Sequence, residues 1–233
     1  KNTFDNNKKK SKSYLLKNGK IINLTNKKLE QKDVLINGRI IEKIGENLKK
    51  NNSNIEIIDC TNLLISPGLV DMRVNIGEPG LEHKETIKSV SMSATSGGVT
   101  SLVCMPNTTP PIDQPAIIQS IQRKAREVAL SKIFCTGCIT RGFMGNEISE
   151  LQLMSESGAL GFTDGSKTVA NVRVLKRALN YAKSFDGLII QHAEEPDLSG
   201  EGVINEGEIS TRLGLVGIPN YAEAMIVERD LWL

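Results

Sequence analysis

Apolar and polar positions along the chain change period near residue 66. Before it, apolar residues come in short runs separated by turn pairs: Tyr14-Leu15-Leu16, Asn18-Gly19, Lys20-Ile21-Ile22, then Val34-Leu35-Ile36, Asn37-Gly38, Arg39-Ile40-Ile41. Both Asn-Gly pairs suit the type I′ turn of a two-residue hairpin. Two hairpins are therefore predicted, followed after the polar stretch 47–54 by a strand at Ile55-Glu56-Ile57-Ile58, so residues 13–66 read as a small β module. Residues 1–12 are polar, Lys-rich and unpatterned, and are expected to be a disordered basic tail.

Beyond residue 66, short apolar runs alternate with longer amphipathic stretches, the pattern of β/α units around a parallel sheet. The runs are Leu69-Val70, residues 100–104, Ile133-Phe134, residues 159–162 and Leu188-Ile189-Ile190. Helices are predicted over 86–96, 115–130, 148–157, 171–184 and 221–233. The fold class is α/β, with five β/α units in 67–233. A closed barrel of such units takes eight strands and ~250 residues, and the last helical stretch meets the end of the sequence without a breaker. A truncated, partial TIM-type barrel is the expectation.

The segment 63–70, interrupted by Ser66, Pro67 and Gly68, reads as a buried strand that delivers Arg73, Asn75 and Glu78 to its C-terminal end. In a β/α barrel that is the active-site face.

Composition changes this picture little. The 233 residues, 39% hydrophobic, suffice for one large domain with a small satellite. A net charge of +2, with many lysines in the first fifty residues, gives no dedicated nucleic-acid surface. No apolar run reaches the ~18 residues of a membrane span, and the Lys/Asn-rich start differs from a signal peptide. A cytoplasmic protein is expected. Of four cysteines, Cys135 and Cys138 form a CxxC without a second pair. Small buried thiols are the expectation there, ahead of metal or redox chemistry.

Candidate chemistry sits after the predicted strands. Arg73 cannot ligate a metal, being permanently cationic, and Asn75 offers a weak neutral oxygen. Both are read as polar contacts in the loop mouth, with a substrate anion on Arg73 as the alternative. After the second strand, the stiff loop Met105-Pro106-Asn107-Thr108-Thr109-Pro110-Pro111 presents Asn107, a turn residue or a donor and acceptor for an amide or carboxylate. Asp164, after the fourth strand, could ligate a metal, orient water or cap the following helix. His192, in Gln191-His192-Ala193-Glu194-Glu195, is the place where imidazole and carboxylates meet. The other histidine, His83, falls in a solvent-facing loop leading into a helix.

Taken together, Ser66-Pro67-Gly68-Leu69-Val70-Asp71, Glu78-Pro79-Gly80, Glu82-His83-Lys84-Glu85-Thr86, Cys104-Met105-Pro106-Asn107-Thr108, Gly161-Phe162-Thr163-Asp164-Gly165 and His192-Ala193-Glu194 resemble the bacterial dihydroorotases of the amidohydrolase superfamily. The resemblance implies a β/α barrel with a small β-sandwich module, zinc as cofactor, and reversible cyclisation of carbamoyl-aspartate to dihydroorotate in de novo pyrimidine biosynthesis. It implies that Asn107 holds the substrate carboxylate, that Asp164 is a metal-proximal aspartate and that His192 is the metal ligand of the fifth strand. Where active members read His-x-His-x-Arg, this chain reads Arg73-Val74-Asn75-Ile76-Gly77, so two zinc ligands and a substrate arginine are replaced. A general base is expected beyond Leu233. Two readings follow: a dihydroorotase with an altered site, or a non-catalytic, dihydroorotase-like scaffold that assembles with aspartate carbamoyltransferase. A homo-oligomer is expected in either case.

Overall fold

A computed structural model describes residues 12–23, 25–49 and 54–233. The basic tail, apart from Lys12, and part of the polar stretch 47–54 lie outside the described residues. The chain forms two compact units, Lys1–Pro67 and Gly68–Leu233.

The first unit holds strands β1 (Ser13–Asn23), β2 (Lys28–Asn37), β3 (Ile40–Gly45) and β4 (Ile55–Asp59) in one mixed sheet of order β3-β2-β1-β4. Leu15, Leu35 and Ile55 form its small core, with Leu48 against them. Asn18 and Gly19 do not turn the chain. They lie inside β1 as a bulge, where the register with β2 shifts between Leu16 and Gly19. Asn18 has φ +61°, and its amide donates to the buried Asp33 carboxylate at 2.9 Å. That carboxylate also takes the Lys17 ammonium at 2.8 Å and the Leu48 amide at 2.9 Å. Burial would raise its pKa, but these donors win and hold it below the usual carboxylate range. A local Asn-Gly signal thus gives way to a buried acceptor that needs the extra backbone N–H. The second Asn-Gly does mark a hairpin, but Asn37 pairs with Ile40 and the loop is Gly38-Arg39. Of these two only Gly38 has positive φ, +61°, the pattern of a type II′ turn with glycine first.

The second unit is α/β. Strands β5 (Leu69–Val74), β6 (Val99–Cys104), β7 (Lys132–Gly137) and β8 (Ala159–Phe162) form a parallel sheet in sequential order. Between them run α1 (Ile87–Ser96), α2 (Pro115–Val128) and the short α3 (Leu151–Glu156), and after β8 comes α4 (Val172–Lys183). Thr86 and Asn171 supply the N-cap hydrogen bonds of α1 and α4. The helices set Ile87, Ile118, Ile121, Leu151, Met154 and Leu175 against Leu102, Cys104, Cys135 and Phe162 of the sheet. Each such side chain contributes about 1.5–3 kcal/mol on burial. Further on lie α5 (Pro196–Ser199), β9 (Ile204–Asn205), α6 (Glu208–Leu213), β10 (Gly217–Ile218) and α7 (Tyr221–Trp232), with β9 and β10 paired in parallel.

Two strand expectations need correction. The segment 63–70 is not one buried strand: Leu64 bridges to Lys20 in the first unit, and β5 starts only at Leu69. As the edge of its sheet, β5 pairs on one side with β6, and Leu69 and Met72 remain 59% and 75% exposed. The fifth run, Leu188-Ile189-Ile190, is reduced to a parallel bridge between Ile189 and Phe162, held by the Phe162 amide on the Leu188 carbonyl and the Ile190 amide on the Phe162 carbonyl, both 2.8 Å.

Candidate functional site

Parallel pairing brings the candidate residues to one end of the second sheet. Val74 is level with Cys104, Cys104 with Cys135, Gly137 with Phe162 and Phe162 with Ile189. Arg73, Asn75, Asn107, Asp164 and His192 therefore all follow, or sit at, C-terminal strand ends, the face where open α/β sheets and barrels place their ligands.

Arg73 and Asn75 are exposed. Glu78, expected at the mouth, is instead committed to a helix start: its Oε2 accepts from the Ile87 amide at 3.0 Å, at the beginning of α1. Gly77 adopts φ +67°, and a Cβ there would meet the Glu85 carbonyl oxygen at 2.5 Å. The loop after β5 is also joined to the loop after β6. Thr109 donates its amide to the Pro79 carbonyl at 2.9 Å, and Gly80 lies so close that a Cβ would stand 2.1 Å from the Thr109 carbonyl oxygen. Asn107 projects from this joined pair of loops, exposed and without a side-chain hydrogen bond among the described residues.

Asp164 is buried. It does not cap α4, whose N-cap is Asn171. One carboxylate oxygen accepts from the amides of Ile139 and Thr140 at 2.8 and 2.9 Å, and the other from the Thr140 hydroxyl. Burial pushes its pKa above the usual carboxylate range, and these hydrogen bonds only partly oppose the rise. Asp164 thereby ties the turn after β7 to the end of β8. His192 is half-buried, with Nε2 3.2 Å from Glu194 Oε2. The backbone at and just after it is held by Thr168, whose hydroxyl reaches the carbonyls of His192 and Glu194. His83 is exposed in the turn before α1.

Thr140 and Thr168 were invisible to the sequence reading. Each is a lone hydroxyl in a loop, with no period or spacing to distinguish it from a surface threonine. Cys135 and Cys138 are free and fully buried, as is Cys104, the strand neighbour of Cys135. A hydrogen bond with Cys135, together with burial, pushes the Cys104 thiol up. Burial and the nearby carboxylates of Asp164 and Asp113 do the same to Cys138. Such thiols are poor nucleophiles.

Zinc in a catalytic site takes three protein ligands and keeps a position open. Among the described residues no three His, Cys, Asp or Glu side chains converge in that way. Both Asp164 oxygens already accept protein hydrogen bonds, and Arg73 and Asn75 bring no anionic or imidazole donor. Among the described residues these side chains do not by themselves make up a zinc site, and no chemical step is assigned to one.

Comparison with known proteins places this arrangement in a family. A family model described as Dihydro-orotase-like matches residues 62–233. Among curated proteins, the chain is 42% identical over 219 residues to a dihydroorotase of Caldicellulosiruptor saccharolyticus, covering 94% of this chain and 51% of that protein. It is 40% identical over 221 residues to a dihydroorotase of Pelobacter propionicus, covering 95% and 52%. The chain thus spans about half the length of the curated relatives it matches. Among solved structures, an L-hydantoinase (dihydropyrimidinase) from Arthrobacter aurescens superimposes with TM-score 0.73 at 19% identity, covering 94% of this chain and 49% of that one. A dihydropyrimidinase from Brevibacillus agri gives 0.70 at 21%, with the same coverage. At these identities the structural likeness concerns the fold alone. With its second unit matched throughout, the chain belongs to the dihydroorotase-like family.

Proposed function

We propose that this chain carries the substrate-facing frame of a dihydroorotase-family protein of de novo pyrimidine biosynthesis, with a metal site too degraded to catalyse the interconversion of carbamoyl-aspartate and dihydroorotate. In this reading the parallel sheet is the first part of a β/α barrel and the N-terminal sheet part of a β-sandwich. Asn107 contacts the substrate carboxylate, with Arg73 as a second anion contact. The carrying observation is the loop after β5. Arg73 and Asn75 stand where the resemblance expects imidazoles, and Gly77 is folded so that no Cβ fits beside Glu85. A loop settled around glycine is not one side chain short of a working site.

The test is zinc analysis of the purified full-length protein together with a carbamoyl-aspartate cyclisation assay. Substoichiometric zinc and no cyclisation are expected. Stoichiometric zinc with turnover would overturn the proposal.

A second reading, the scaffold that assembles with aspartate carbamoyltransferase, is favoured by a separate observation. The Pro79–Thr109 junction keeps both loops in place although the ligand positions have changed. Light scattering of an equimolar mixture with the transferase should then show a complex, and two unshifted peaks would exclude it.

A further inference from the structure

The Asn-Gly pairs of the first unit, Asn18-Gly19 and Asn37-Gly38, are alike in sequence and opposite in setting. Such a pair carries a latent reaction: the glycine amide nitrogen can close on the asparagine Cγ, because glycine has no Cβ to obstruct the ring. At Asn37 the geometry favours closure. Its side chain is exposed at the end of β2, and the amide of Gly38, first in the two-residue turn, enters no hydrogen bond among the described residues. The Ser13 hydroxyl donates to Asn37 Oδ1 at 3.0 Å. Negative charge develops on that oxygen when a nitrogen attacks Cγ, and a donor already aimed at it favours the charged intermediate over the neutral amide.

At Asn18 these conditions are reversed. Gly19 is buried inside β1, in register with Lys32, and packed so that a Cβ would stand 2.1 Å from Ile65 Cδ1. The backbone is tied on both sides, the Asn18 amide to Asp33 at 2.9 Å and the Lys20 amide to the Leu63 carbonyl at 2.9 Å. Asn18 Nδ2 donates to Asp59 Oδ1 at 3.4 Å, so a carboxylate faces this side chain. A negative neighbour opposes the developing oxyanion.

We propose that Asn37 is a site of spontaneous deamidation assisted by the Ser13 hydroxyl, and that the fold protects Asn18 from the same reaction. Hydroxide takes the Gly38 amide proton and the nitrogen attacks Asn37 Cγ. The N–Cγ bond forms, the Cγ–Nδ2 bond breaks, and ammonia leaves with a proton returned by water. Water then opens the five-membered imide at one carbonyl or the other, giving an aspartyl or isoaspartyl residue. Water is consumed and ammonia released, with no oxidant or reductant. The product brings a negative charge to the β2–β3 turn, and the isoaspartyl form adds a backbone carbon where Asn37 registers with both Ser13 and Ile40. This chemistry is independent of the strand ends in the second unit.

Peptide mapping by mass spectrometry of the full-length protein, aged in mildly alkaline buffer, tests it. Amide-to-acid conversion is expected at Asn37 about tenfold or more faster than at Asn18, whose glycine must first leave the ladder by local opening. Ser13→Ala should slow conversion at Asn37 about threefold, the worth of one exposed donor, and leave Asn18 unchanged. In urea the two positions of the parent should convert at similar rates, since only the fold distinguishes them. An unchanged circular dichroism melt will establish that the variant folds, and the comparison of Asn37 with Asn18 in the parent needs no variant. No conversion at Asn37, equal native rates at the two positions, a rate indifferent to Ser13→Ala, or a difference that persists in urea would each overturn the proposal.

Discussion

Gly77 stands so close to Glu85 that a β-carbon would lie 2.5 Å from the Glu85 carbonyl oxygen. Its φ of +67° adds the left-handed cost of about 1–2 kcal/mol that any L-residue pays there. Gly77→Ala should therefore lower unfolding free energy by on the order of 2 kcal/mol or more, because the obstructing atom is backbone. Urea denaturation measures this. It also bears on restoring the site: Arg73→His/Asn75→His should melt near the parent temperature, whereas adding Gly77→Arg should lower it by several degrees. An unchanged melt for the triple variant would show that the loop can rearrange.

Asp164 answers two buried amides and a hydroxyl. Asp164→Ala leaves them without an acceptor, at a cost on the order of 3 kcal/mol, whereas Asp164→Asn keeps one oxygen for the amides and should cost much less. The raised carboxyl pKa fixes the pH dependence. The folded state holds the proton more tightly than the unfolded state, so Asp164 disfavours folding above its native pKa, and that disadvantage disappears as pH falls toward the unfolded value. Relative to Asp164→Asn, the parent should gain stability on acidification. Paired denaturation curves from pH 7 to pH 4 would show it, and parallel pH profiles would refute it.

Thr168 holds the backbone around His192 through the carbonyls of His192 and Glu194. Thr168→Val keeps the shape and removes the donor, at about 1 kcal/mol. The effect should be local: amide exchange over 191–195 should quicken while β6 and β7 stay protected.

The thiols of Cys104, Cys135 and Cys138 should resist alkylation in the native protein at pH 8 and react after denaturation. Their burial excludes reagent, and the upward shifts at Cys104 and Cys138 keep those thiols protonated. Rapid native labelling at Cys135 or Cys138, mapped by mass spectrometry, would return redox chemistry to consideration.

Leu69, Val70 and Met72 on the edge strand β5 are exposed. An open apolar edge invites intermolecular pairing. For residues 1–233 produced alone, Val70→Lys/Met72→Lys should reduce concentration-dependent light scattering with little change in melting temperature. Equal scattering would place the sticky surface elsewhere.

Where the hydrophobic period was long, the sequence was legible. The helices over 87–96, 115–128, 172–183 and 221–232 fall within the predicted stretches, and the caps Thr86 and Asn171 stand where capping chemistry puts them. Short signals were less secure. Asn18-Gly19 reads as a turn until Asp33, fifteen residues away, claims the Asn18 amide. Leu188-Ile189-Ile190 reads as a strand, yet only Ile189 registers with Phe162. The candidate residues could be named from strand ends and from family resemblance. Their engagements could not, because a carboxylate's partner is fixed by whichever loop packs over it.

By itself the sequence determined the change from short β runs to alternating strands and helices, and that Arg73, Asn75 and Gly77 stand at the end of the first run of the second unit. Those are properties of residue type and order. The tertiary structure decided that Glu78 secures the start of α1 and Asp164 the turn after β7, and that Gly77 has no space for a side chain. Each depends on which backbone amide or carbonyl comes within 3 Å, and that is set by packing between segments distant in sequence.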